Sequence, residues 1–80
     1  MKNIKKIRLL EEYTQIKVQM QTGINQSMLS KYETGEILPT TENLIILADF
    51  YNTSLDYLMD RTDETKKISA KSGQIKRPAR

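Results

Sequence analysis

Eighty residues, 38% of them hydrophobic and 29% charged, suffice for one small soluble domain and leave no room for a second core. The absence of Cys and His excludes disulfides, thiol nucleophiles, the usual zinc ligands and the commonest general base. The net charge of +3 is lopsided: residues 1–60 carry six Lys/Arg against eight Asp/Glu and residues 61–80 seven against two, so the basic character belongs to the tail.

Residues 1–8 are charged and have no apolar centre, so they do not read as a signal peptide. The longest apolar run, Leu44 to Ala48, is far too short to cross a membrane, and a cytoplasmic location is the default expectation. The spacing predicts helix 1 over residues 3–12, with Ile4, Ile7 and Leu10 on one stripe and Asn3 as N-cap. No Gly marks its end near Tyr13.

Residues 14–22 pull two ways. Gln15 to Gln21 alternates polar and apolar, which is the period of a strand. The flanks are those of a short helix, since Thr14 can cap it and Gly23 can end it, and a lone strand would have no partner. Helix 2 is the reading taken. Gly23-Ile24-Asn25 is turn chemistry, with Gly supplying positive φ and Asn25 capping the next helix. Helix 3 is expected over 26–33, with Leu29 and Tyr32 inward and Thr34-Gly35-Glu36 as its stop.

Pro39-Thr40 restarts the chain, and Glu42 suits the positive end of the next helix dipole. Helix 4 runs to about Tyr51, with Leu44, Leu47, Ala48 and Tyr51 on one face. Asn52 suits a left-handed stop, and Ser54 caps a last helix over 55–59 with Leu55 and Leu58 inward. The expected organisation is a domain over 1–60 and a basic, disordered tail over 61–80.

The segment from Thr14 to Gly35 therefore has a helix-turn-helix layout. Its second helix exposes Gln26, Ser27, Ser30 and Lys31, side chains able to read DNA base edges or grip phosphates. Gln26 can pair bidentately with adenine N6 and N7, and Lys31 can take guanine O6/N7 or a phosphate. The bland alternative for each is a solvated helix face.

Residues 4–63 resemble the Xre/Cro-type helix-turn-helix family, which includes many phage repressors. The resemblance is carried by Ile4, Ile7 and Arg8, by Thr14-Gln15, by Gly23, by Leu29-Ser30-Lys31-Tyr32-Glu33-x-Gly35, by Pro39, and by Leu44 to Leu58. It implies an all-α, five-helix repressor-like domain with its helix-turn-helix at helices 2 and 3. It also implies double-stranded DNA as partner, usually a palindromic operator bound by a homodimer; no metal or cofactor is expected. Carried over by residue, Gln26, Ser27 and Lys31 meet base edges. Thr14, Gln15, Asn25, Ser30 and Thr34 meet the DNA backbone, with Gln15 holding a phosphate at a helix N-terminus. Arg8 and Glu33 match an ion pair tying helix 1 to helix 3. Three positions depart from the pattern. Gln19 stands where the family prefers Ala, so either the helices splay slightly or Gln19 turns outward. Thr22 replaces an apolar residue, and Glu36 puts a negative charge where Lys or Arg is common.

Ile16 with Met20, and Ile46 with Phe50, are i, i+4 pairs off the main apolar faces. They either widen the core or form a self-association patch, with Tyr57 and Met59 as further candidates. The basic tail is a solvated end, a DNA arm or a partner-binding segment. The function expected is sequence-specific DNA binding by a transcriptional regulator, a repressor of phage or mobile-element type. An enzyme is not expected, because the carboxylates are scattered and there is no phosphate loop, metal cluster or nucleophile–base pair. The rival is an antitoxin or other protein-interaction module on the same fold.

Overall fold

The computed structural model describes residues 1–65, and the tail expected to be disordered lies outside the described residues from 66 onward. Among the described residues there are five helices and no strand: α1 (Lys2–Leu10), α2 (Gln15–Thr22), α3 (Gln26–Thr34), α4 (Thr41–Tyr51) and α5 (Leu55–Leu58). None is long and apolar enough to cross a membrane.

Most helix ends are fixed by local chemistry. The hydroxyls of Thr14, Thr40 and Ser54 accept from the backbone N–H three residues on, at 3.0, 3.1 and 3.0 Å, and so satisfy first-turn donors that have no intrahelical partner. Gly23 and Gly35 close α2 and α3 at φ 81° and 85°, a conformation costly for any residue with a Cβ. Asn52 closes α4 in the same left-handed region at φ 55°.

The two ends of α1 differ from expectation. Asn3 is not its cap, because the helix already begins at Lys2. The capping groups come from the far end of the domain, where the two carboxylate oxygens of Asp60 accept from the N–H groups of Lys2 and Asn3 at 2.9 and 2.8 Å. A carboxylate there also suits the positive end of the helix dipole. Asn3 turns inward instead, and its amide donates to the carbonyls of Tyr57 at 2.8 Å and Thr62 at 3.2 Å. The helix stops at Leu10, and Glu12 reverses the chain at φ 62°, a turn made without Gly.

Ile4, Val18, Leu29, Tyr32, Leu47, Tyr57 and Leu58 are almost fully buried and form the centre of the core. Burial of each such side chain contributes about 1.5–3 kcal/mol before the cost of ordering the chain. Leu10 and Leu55, expected inward, are 65% and 40% exposed, and Tyr57, considered as a surface patch, is buried. Ile46 and Phe50 are half-buried against the core, whereas Ile16 and Met20 face solvent. Phe50 also packs on Tyr13 and Tyr51, with ring centroids 5.1 and 4.9 Å away, which ties the α1–α2 loop to the end of α4.

Removing the Asn3 amide takes away both bonds that fasten α1 to the Tyr57 and Thr62 carbonyls, leaving the Tyr57 carbonyl only the Asp60 N–H at 3.0 Å. Asn3→Ala is expected to destabilise the domain by about 1–3 kcal/mol, a fall of roughly 4 °C or more in Tm. Thermal unfolding followed by circular dichroism checks this, and an unchanged Tm contradicts the assigned role.

Candidate nucleic-acid interface

The candidate site is the outer face of α3 and the N-terminal end of α2. In α3, Leu29, Tyr32 and Glu33 are buried, while Gln26, Ser27 and Thr34 are exposed and Ser30 and Lys31 are half-buried. At helical spacing these two sets fall on opposite sides, so Gln26, Ser27, Ser30, Lys31 and Thr34 share one continuous outward face. Buried Ile24 anchors the turn before it, and the Thr22 hydroxyl accepts from Ile24 N–H at 3.1 Å while donating to the Val18 carbonyl at 2.7 Å. Thr22 therefore serves the turn with its hydroxyl.

Behind this face lies a buried ion pair. Arg8 Nε donates to Glu33 Oε2 at 2.7 Å and Arg8 Nη2 to Glu33 Oε1 at 3.0 Å, in fork geometry, with the two side chains 12% and 3% exposed. The hydrogen bond to Glu33 holds the Arg8 guanidinium above its ordinary pKa, so the arginine is charged at every accessible pH. Arg8 Nη1 also donates to the Tyr13 carbonyl at 2.9 Å. Burial, and secondarily the Glu33 charge, push the neighbouring Tyr51 phenol well above its ordinary value.

A third donor reaches Glu33. Gln15 Nε2 donates to Glu33 Oε1 at 3.0 Å, and Gln15 Oε1 accepts from Gln26 Nε2 at 3.1 Å. The orientation of both amides follows from chemistry. A carboxylate only accepts, so Gln15 must present its NH2 to Glu33 and its oxygen to Gln26. Gln26 must then donate, which leaves its Oε1 and a second N–H without a hydrogen bond among the described residues. One acceptor beside one donor is the pattern that complements the N6 and N7 edge of adenine.

The other residues singled out in the sequence lie around this chain of amides. Thr14 and Asn25 are exposed and cap α2 and α3, with Asn25 Oδ1 accepting from Ser27 N–H at 2.7 Å. Thr34 sits at the far end of α3, where its hydroxyl donates to the Lys31 carbonyl at 3.2 Å. Exposed Glu36 follows that helix. Gln15 is engaged by Glu33 and Gln26, a role that phosphate-holding alone does not describe. Gln19 neither splays the helices by bulk alone nor points simply outward: half-buried, it accepts from the backbone N–H of Gln26 at 2.6 Å. Sequence reasoning missed both roles. The available signal was the spacing of three glutamines, 15 and 19 one turn apart and 26 at the start of the next helix.

The family model described as helix-turn-helix matches residues 4–58. The chain is 39% identical over 64 residues to the cryptic phage CTXphi transcriptional repressor RstR of Vibrio cholerae serotype O1, covering 78% of this chain and 57% of that protein. It is 35% identical over 66 residues to the HTH-type transcriptional regulator ImmR of Bacillus subtilis strain 168, covering 82% and 52% respectively. The chain thus spans little more than half the length of these relatives. No solved structure matches it.

Breaking the ion pair from one side strands a buried charge. Arg8→Ala is expected to destabilise the fold by about 3–5 kcal/mol, whereas the double variant Arg8→Met/Glu33→Leu recovers much of that loss. Urea midpoints of the three proteins check this, and an Arg8→Ala variant as stable as the parent contradicts it.

Proposed function

The chain belongs to the helix-turn-helix family, of Xre/Cro type, and on that premise we propose that it is a sequence-specific DNA-binding regulator that reads its site through α3. The observation that carries this is the oriented amide of Gln26, exposed at the start of α3 with its acceptor and donor set by Gln15 and Glu33. Placed in the major groove, α3 puts Gln26 at an adenine edge, with Ser27 and Lys31 further along the same face reaching bases or phosphates. Thr14, Gln15, Asn25, Ser30 and Thr34 lie where the sugar-phosphate chain passes. The N-termini of α2 and α3 add local positive potential to a region, residues 1–60, whose own charge is net negative.

The relatives are named as a phage transcriptional repressor and a transcriptional regulator, which supports a repressor of phage or mobile-element type. Such a protein acts by occupying an operator and blocking polymerase. In this reading it binds as a homodimer to a palindrome with half-sites about 34–36 Å apart. Exposed Ile45, Leu55 and Met59 offer apolar contact surface from α4, α5 and the residue after α5 rather than from the reading helix. Residues 1–60 are the reading unit, and the net +5 is carried by residues 61–80.

Selection of binding sites from a random duplex library tests the proposal. A palindromic consensus is expected, with affinity falling by a slope of about −0.9 in log–log salt dependence for each phosphate neutralised. Gln26→Ala is expected to erase preference at one position per half-site. Failure to bind any duplex in a salt-dependent way contradicts the proposal.

A further inference from the structure

We propose that Gln19 is a specificity-determining residue that acts without touching a base: it locks the main chain of Gln26 to α2. This rests on the DNA-reading role of α3 proposed above.

The first turn of a helix carries N–H groups with no intrahelical acceptor. In α3 one of these, on Ser27, is met by the Asn25 side chain in the usual way. The N–H of Gln26 is met from another helix, by Gln19 Oε1 at 2.6 Å, shorter than a typical N–H···O bond. Since a backbone N–H only donates, the amide oxygen must be the atom facing it, and the orientation of Gln19 is fixed by chemistry. Among the described residues its Nε2 makes no hydrogen bond.

Gln15 and Gln19 are i, i+4 neighbours on α2 and so project from one face. Gln15 holds the side chain of Gln26 and Gln19 holds its backbone. Gln26 is therefore gripped at two points by a separate rigid helix, although it stands exposed at a helix start next to a three-residue turn. A bidentate contact to a base tolerates errors of only about 0.5 Å and 10–20°. Without the Gln19 bond, the turn and buried Ile24 are left to set where the Gln26 main chain sits relative to α2. Gln19 is thus a positioning residue, and its loss costs discrimination at the base pair under Gln26 while leaving other contacts alone.

Two substitutions separate the lock from other effects of the side chain. Gln19→Ala removes the acceptor. Gln19→Glu keeps an acceptor for the Gln26 N–H but adds a negative charge near the phosphates. Affinities are measured for the selected duplex and for one changed only at the base pair where Gln26→Ala loses preference. For Gln19→Ala the discrimination between the two is expected to fall about tenfold, within the cost of a single wrong base pair, with an unchanged salt slope. For Gln19→Glu both affinities fall together and discrimination stays within about twofold of the parent. Hydrogen exchange of the Gln26 amide, read by NMR without DNA, is expected to be slow in the parent and in Gln19→Glu and faster in Gln19→Ala. Parental discrimination in Gln19→Ala, equal losses in the two variants, or equal exchange rates each overturn the proposal. A parent that binds no duplex while its Gln26 amide is protected overturns the DNA-reading premise instead, and the specificity role with it.

Discussion

The buried carboxylate of Glu33 can only accept hydrogen bonds, and everything packed around it must donate. Three donors do so: two from Arg8 on α1 and one from Gln15 on α2, while Glu33 itself belongs to α3. The first three helices meet at one charge held out of water. The ion pair adds little to stability compared with an apolar replacement, but it is intolerant of losing one partner, so it fixes which helices must lie together. It also imposes a direction. Once the Gln15 NH2 is committed to Glu33, its oxygen turns toward Gln26, and Gln26 must donate in turn. A constraint in the core thereby becomes a chemical polarity on the surface.

The same logic of distant partners closes the domain. Asp60 caps the start of α1, and Asn3 fastens that start to the carbonyls of Tyr57 and Thr62. The first helix is thus pinned at one end by the last helix and its exit and at the other by α3 through Arg8. What these bonds leave open is the outward face of α3, whose exposed groups are mostly uncharged amides and hydroxyls. In the proposed function, selectivity comes from amides set in place rather than from bulk positive charge, since the net positive charge lies in the tail.

Local chemistry was legible in the sequence. Thr14, Asn25, Thr40 and Ser54 cap the helices that follow them, and Gly23, Gly35 and Asn52 end helices at positive φ, as their residue types dictate. The alternation in α2 pointed to a strand and its flanks correctly to a helix: only Val18 of that helix is buried, so packing imposed almost no 3.6-residue period on its sequence. Asn3 looked like a local cap, but its partners lie 54 and 59 residues away, and no short window contains them. Leu10 and Leu55 satisfied a periodic stripe and yet are exposed, because Leu10 is the last residue of α1 and α5 is a single turn. The roles of Gln15 and Gln19 needed two helices to be brought together before they existed at all.

The central claim is that Gln15 and Gln26 act as one unit whose polarity Glu33 decides. A double-mutant cycle of Gln15→Ala and Gln26→Ala, measured as binding free energy on the selected duplex, tests it most directly. The account predicts a coupling of about 1 kcal/mol or more, with Gln15→Ala losing little further once Gln26 is gone. Effects that add to within about 0.3–0.5 kcal/mol would contradict it.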